Sequence, residues 1–122
     1  MIGNFFLVGL GGALGSMLRY GAGLWPWSRD FPLTTFIINI TGSFIIGLVM
    51  AYSLKYESFA LNWKLFLATG ICGGFTTFSA FSFENLQLLQ QGKLGMFVLY
   101  TIGSLLLGIA AAWLGFKILT TA

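Results

Sequence analysis

Four long stretches of this chain carry no charge. Residues 1–18 run uncharged up to Arg19, residues 31–54 lie between Asp30 and Lys55, residues 65–83 between Lys64 and Glu84, and residues 94–116 between Lys93 and Lys117. About 20 consecutive apolar residues cross a bilayer as an α-helix, and in hydrocarbon only a helix or a closed barrel satisfies its own backbone. The pattern predicts an all-α membrane protein with helices over roughly 2–23, 33–54, 64–90 and 94–118, forming one four-helix transmembrane domain over 1–122. Composition closes off the soluble alternative. The chain is 57% hydrophobic and 7% charged, against about 25% charged in a soluble domain. A protein of this length cannot hide so much apolar surface in a core of its own.

The first stretch lacks the basic start of a signal peptide and reads as a helix. Trp25, Trp27, Trp63 and Tyr56 flank the stretches as an interfacial aromatic belt would. Pro26 and Pro32 suit the connection between the first two helices. The absence of His and the single Cys remove imidazole acid–base chemistry, haem or zinc ligation and an internal disulfide. Cys72, in an apolar run, reads as a small packing residue. A net charge of +3, scattered along the chain, does not make the clustered basic patch that nucleic acid requires. An even number of spans puts both termini on one face. Lys55, Lys64 and Lys117 then fall on that face, and Arg19, Arg29 and Lys93 on the other. A balance of this kind assigns no orientation by the positive-inside rule. It is either a small-sample accident or the mark of dual topology, in which copies insert both ways up and pair antiparallel.

Polar residues inside the stretches are the candidates for function. Gly11 and Gly15 form a small-xxx-small pair suited to close helix packing. No strand precedes this glycine run, and Leu14 breaks the dinucleotide fingerprint. Arg19, near the end of the first helix, either snorkels to the interface or draws anions into a vestibule. Asn39 lies well inside the second helix and needs hydrogen-bond partners there. Two readings stand: an interhelical bond, or a pore-lining amide that donates to an anion. Tyr100, Ser104, Gly108 and Ala112 recur every fourth residue and share one face of the fourth helix.

The third stretch is the most informative. It reads Gly70-Ile71-Cys72-Gly73-Gly74-Phe75-Thr76-Thr77-Phe78-Ser79-Ala80-Phe81-Ser82. A glycine pair followed by two threonines is poor helix sequence, and irregular backbone at membrane depth survives only when buried or lining a cavity. The pattern predicts a break there, with freed carbonyls able to bind a hard cation. Phe75, Phe78 and Phe81 repeat at helical spacing, as a packing stripe or as a wall with Ser79 and Ser82 between the rings. With Glu84 taken as the end of this helix, no carboxylate lies within the membrane. A proton-coupled exporter of cationic drugs needs one. Hydroxyls, an amide and ring edges suit an anion instead.

Three ordered segments carry a resemblance over the whole chain: Gly11-Gly12-Ala13-Leu14-Gly15 with Arg19-Tyr20, Asn39-Ile40-Thr41-Gly42-Ser43-Phe44, and the run from Gly73 to Ser82. The chain resembles the Fluc fluoride channels, also called the CrcB family. The resemblance implies an antiparallel, dual-topology homodimer in the cell inner membrane, with two fluoride pores built from both subunits. It places Phe78 and Phe81 along the fluoride path, with Asn39, Tyr100 and Ser104 as further polar positions; Ser79 between the rings and Arg19 at a vestibule complete the candidate site. It also implies a structural Na+ on the dimer axis, held by the backbone carbonyls of Gly73 and Thr76. Ala80 departs from the family, which carries Thr there. The expected activity is fluoride export that relieves toxicity, by a channel and not an enzyme. The rival classes are a dual-topology small-molecule exporter of the small multidrug resistance type and a membrane anchor within a larger complex.

Overall fold

A computed structural model describes residues 1–24, 31–57 and 61–121. Among them α1 (Ile2–Gly23) and α2 (Leu33–Lys55) are continuous helices. The third span, Asn62–Gln90, is composite. It runs through α3 (Asn62–Lys64), a π-helical segment (Leu65–Cys72) and α4 (Gly73–Phe75), breaks, and resumes as α5 (Phe78–Gln90). The fourth span is α6 (Leu94–Thr121). All four spans are long and apolar enough to cross a membrane. The third span starts at Asn62 rather than 64, and α2 and α6 end at Lys55 and Thr121 rather than 54 and 118, the usual uncertainty of helix ends. Trp25, Pro26, Trp27, Arg29 and Asp30 lie outside the described residues.

Two glycine seams set the packing. On α1, a side chain at Gly11 would strike the carbonyl of Phe66, and one at Gly15 the carbonyl of Ile71. The third span answers with Gly70 and Gly74, where a side chain would meet the backbone of Gly11 and Gly12. The second seam joins α2 to α6. Gly47 faces the Ala112 carbonyl, and Gly115 faces that of Phe44. Lipid supplies no hydrophobic drive between helices, so close backbone approach and dispersion hold such seams together. The small residues on one face of α6 serve this purpose: a side chain at Gly108 would come into van der Waals contact with Ser43.

The turn between α5 and α6 has a specific geometry. Gly92 has φ +73. Its N–H donates to the Leu89 carbonyl, and the Lys93 N–H donates to that of Leu88. This is a Schellman cap, which needs a left-handed residue at the position Gly92 holds. It turns the chain back antiparallel within three residues, Gln91 to Lys93. Near the other end of the bundle, Tyr52 stacks on Tyr56 at 4.7 Å and the Lys117 ammonium sits 4.7 Å over the Trp113 ring. Trp63 packs edge-on against Phe66.

Candidate functional site

The third span leaves helical geometry at Thr76, with ψ 156, and at Thr77, with φ −152 and ψ 121. The glycine pair itself stays helical; two consecutive β-branched threonines, which lose rotamer freedom in a helix, carry the break. Beside it lies a groove of about 340 Å³. Asn39 and Ser43 of α2, Gly73 and Thr76 before and at the break, Phe78 and Phe81 of α5, and Ser104 of α6 all line it. It is open on one side, where Phe78 is 79% exposed. Residues far apart in sequence thus meet at the least helical point of the membrane domain.

The backbone at the break is accounted for group by group. The Thr77 N–H donates to Asn39 Oδ1 at 2.9 Å, and Asn39 Nδ2 donates to the Thr77 carbonyl at 3.3 Å. Ser43 Oγ donates to the Asn39 carbonyl. Thr76 bonds back to the Cys72 carbonyl through both its N–H and its hydroxyl. Thr77 Oγ1 accepts from the Ala80 N–H and so caps α5. It also pairs with the hydroxyl of Ser79, which is exposed and outside the groove lining. In a continuous helix the Thr77 N–H would go to the Gly73 carbonyl. Here Asn39 takes it, and Gly73 loses its helical donor. The Ser104 hydroxyl is buried in the groove wall with no partner among the described residues.

From the groove wall inward the aromatic rings form a row, each tilted against the next. Phe78 and Phe81 lie 5.9 Å apart, and Phe81 lies 5.0 Å from Tyr100. Tyr100 is fully buried, with Phe31 edge-on to it at 5.4 Å. Its hydroxyl donates to Glu84 Oε1, and the Thr35 hydroxyl donates to Glu84 Oε2. Two expectations change here. Glu84 does not end the helix, because α5 continues to Gln90. A carboxylate therefore lies within the third span, between α2 and α6. The Tyr100 hydroxyl is committed to that carboxylate and not to the groove. Thr35, Asn39 and Ser43 stand at i, i+4 and i+8 on α2. That polar stripe was the signal for a shared neighbour, and it finds Glu84 and Thr77.

Arg19 is half-buried, and its Nε donates to the Gly74 carbonyl at 3.4 Å. The guanidinium thus reaches the other side of the break from α1. Cys72 is 3% exposed and packs, as its apolar surroundings suggest. Among the described residues no group of three His, Cys, Asp or Glu could hold a metal ion. Any cation at the break would rest on neutral oxygens. The Gly73 carbonyl, without its helical donor, and the Thr76 carbonyl, turned out of the helix by its extended backbone, fit that donor set.

A family model described as CrcB-like protein, Camphor Resistance (CrcB), matches residues 6–116. A protein of Thermus thermophilus named fluoride-specific ion channel FluC is 48% identical over 94% of this chain and 92% of its own length. Relatives of the same name come from Azobacteroides pseudotrichonymphae, 46% identical over 95% of each chain, and Acidobacterium capsulatum, 44% identical over 92% of each. The matched segment runs through all four spans and contains the whole groove. The chain is a multi-pass protein of the cell membrane, and it belongs to the CrcB family.

Proposed function

We propose that this protein is a fluoride-selective ion channel that lets fluoride leave the cytoplasm. One observation carries the reading: a groove at a broken helix, walled by the Phe78 and Phe81 rings and lined also by Ser104, whose buried hydroxyl has no hydrogen-bond partner among the described residues. Fluoride is small and strongly hydrated. A pore for it must replace water with hydrogen-bond donors and with the positive edges of aromatic rings. The relatives named as fluoride-specific channels support the same substrate. The test is efflux from vesicles carrying the purified protein, measured for fluoride and for chloride in parallel. Fluoride release far above chloride release is the expected result. Equal release of both, or of neither, overturns the reading.

The functional unit is an antiparallel homodimer of dual-topology subunits. The exposed Gly73 and the extended Thr76 leave backbone carbonyls at the open groove that hydrocarbon cannot satisfy; a second copy would close the groove. The balanced Lys and Arg count agrees. A single Cys placed near Lys93, in a Cys72→Ser background, should then be labelled by impermeant reagent from both sides of the membrane. Labelling from one side alone contradicts the arrangement.

A Na+ ion on the dimer axis would tie the two broken spans together. The Gly73 and Thr76 carbonyls of two subunits offer four neutral oxygens, which suit a monovalent ion better than Ca2+ or Mg2+ with their usual carboxylates. The ion would supply charge to satisfy carbonyls that hydrocarbon leaves unpaired and would not travel with fluoride. Long equilibration in a large organic cation, with Na+ and other small cations excluded, should reduce both dimer content and flux. Full dimer and full flux under those conditions rule the ion out.

A further inference from the structure

We infer that Asn39 is a positioning residue that holds the helix break open and aims the Phe78 ring, an inference that rests on the channel reading above. The observation is a closed pair of hydrogen bonds. Asn39 presents its side-chain amide to the Thr77 backbone as a neighbouring strand presents a peptide: oxygen to N–H at 2.9 Å, nitrogen to carbonyl at 3.3 Å. A side chain that satisfies both backbone groups of one residue replaces what the helix would have supplied. Unpaired, those two groups would each cost several kcal/mol in hydrocarbon. Asparagine has the one short side chain with a donor and an acceptor at the right spread; Ser offers a single atom and Asp no donor when ionised.

Three neighbouring contacts give the clamp its direction. Gly42, three residues along α2, lets the Thr76 methyl lie against the helix backbone, since a side chain there would strike it. Asn39 itself is steadied by Ser43, whose hydroxyl holds the Asn39 carbonyl at 2.7 Å. On the far side, Thr77 caps α5 through the Ala80 N–H. The residue that Asn39 grips is therefore the N-cap of the helix that carries Phe78 at its first position. A shift at Thr77 turns the first residue of α5, and with it a ring in the groove wall. The same clamp withholds the Thr77 N–H from Gly73, so groove wall and free carbonyl are set by one side chain.

The test uses the full chain with 4-fluorophenylalanine at position 78 as a 19F reporter. Asn39→Ala is compared with Ser53→Ala, which removes a hydroxyl that donates to the Val49 carbonyl of the same helix. The expected result is a displaced or split 19F resonance in N39A, together with at least a tenfold loss of fluoride flux measured without the label. S53A should change neither. A tenfold flux loss with the resonance unmoved would mean that Asn39 acts on the ion directly and would overturn the clamp. A moved resonance with wild-type flux would overturn its role in conduction. If N39A fails to assemble, Asn39→Ser supplies the same comparison, because one hydroxyl cannot span both Thr77 groups. If the unsubstituted protein passes no fluoride, the channel reading fails, and the resonance still decides whether Asn39 sets the ring.

Discussion

Replacing Phe81 with Ile is expected to cut fluoride efflux at least tenfold while the protein stays folded. The substitution keeps an apolar branched side chain of similar reach and removes the ring edge. The Phe81 ring lies 5.9 Å from Phe78 and 5.0 Å from Tyr100. Aromatic pairs of this kind contribute about 0.5–1.5 kcal/mol each beyond area burial, so a modest loss of thermal stability should accompany the loss of flux. A tenfold change in rate corresponds to about 1.4 kcal/mol at the barrier, which one anion–edge contact can supply. Phe78→Ile makes the cleaner partner experiment. Phe78 is 79% exposed within its own chain, so its loss removes little of the chain's internal packing. A flux defect there reports on the ion path or on the second subunit. Efflux at the unsubstituted rate in both variants, with chloride still excluded, would return the rings to packing.

Gly15→Ala is expected to destabilise the folded chain by about 3 kcal/mol, the upper end for overpacking. The added methyl would collide with the carbonyl of Ile71 and lie 2.8 Å from the Phe75 amide nitrogen. Both obstacles are backbone, which cannot swing aside as a side chain does. Gly12→Ala is the internal control. The same methyl at Gly12 meets nothing closer than the Gly70 carbonyl at 4.0 Å, and it should be tolerated. Thermal unfolding of the detergent-solubilised proteins, read by tryptophan fluorescence, checks both. Equal melting of the two variants would show that the seam yields and that the third span is not held by α1.

The spans were legible because charge is costly in hydrocarbon: each uncharged gap marks a crossing. The first seam was legible too, since Gly11 and Gly15 show their spacing without any knowledge of the partner helix. What stayed hidden depended on backbone conformation. The glycine pair pointed to the right turn of the third span, but the break falls at Thr76 and Thr77, where tertiary bonds offer the backbone another partner. An interhelical bond is one of the two readings Asn39 offers, but its partner cannot be read, because it is a peptide group and carries no residue signature. Glu84 was misplaced for a plainer reason. A charged residue reads as the edge of a membrane segment, although Thr35 and Tyr100 give Glu84 partners inside. The π-helical stretch Leu65–Cys72 left no mark in its composition.

That stretch puts a limit on how the chain can change length. An α-helix advances 100° per residue, since 3.6 residues make a turn, and a wide turn is one that carries surplus chain. Deleting a single residue between Leu65 and Cys72 would let the surplus relax into an ordinary helix. A further deletion, with no surplus left to absorb it, would swing Gly74 off Gly12 and Thr76 off Gly42, the contacts that seat the break. Beyond that surplus, a short span with no charge or catalytic group is as intolerant of a gap as of a wrong side chain. Alignments of chains built this way should carry their insertions in the connections near Lys93 or Tyr56 and keep an unbroken count of residues from Gly70 to Phe81.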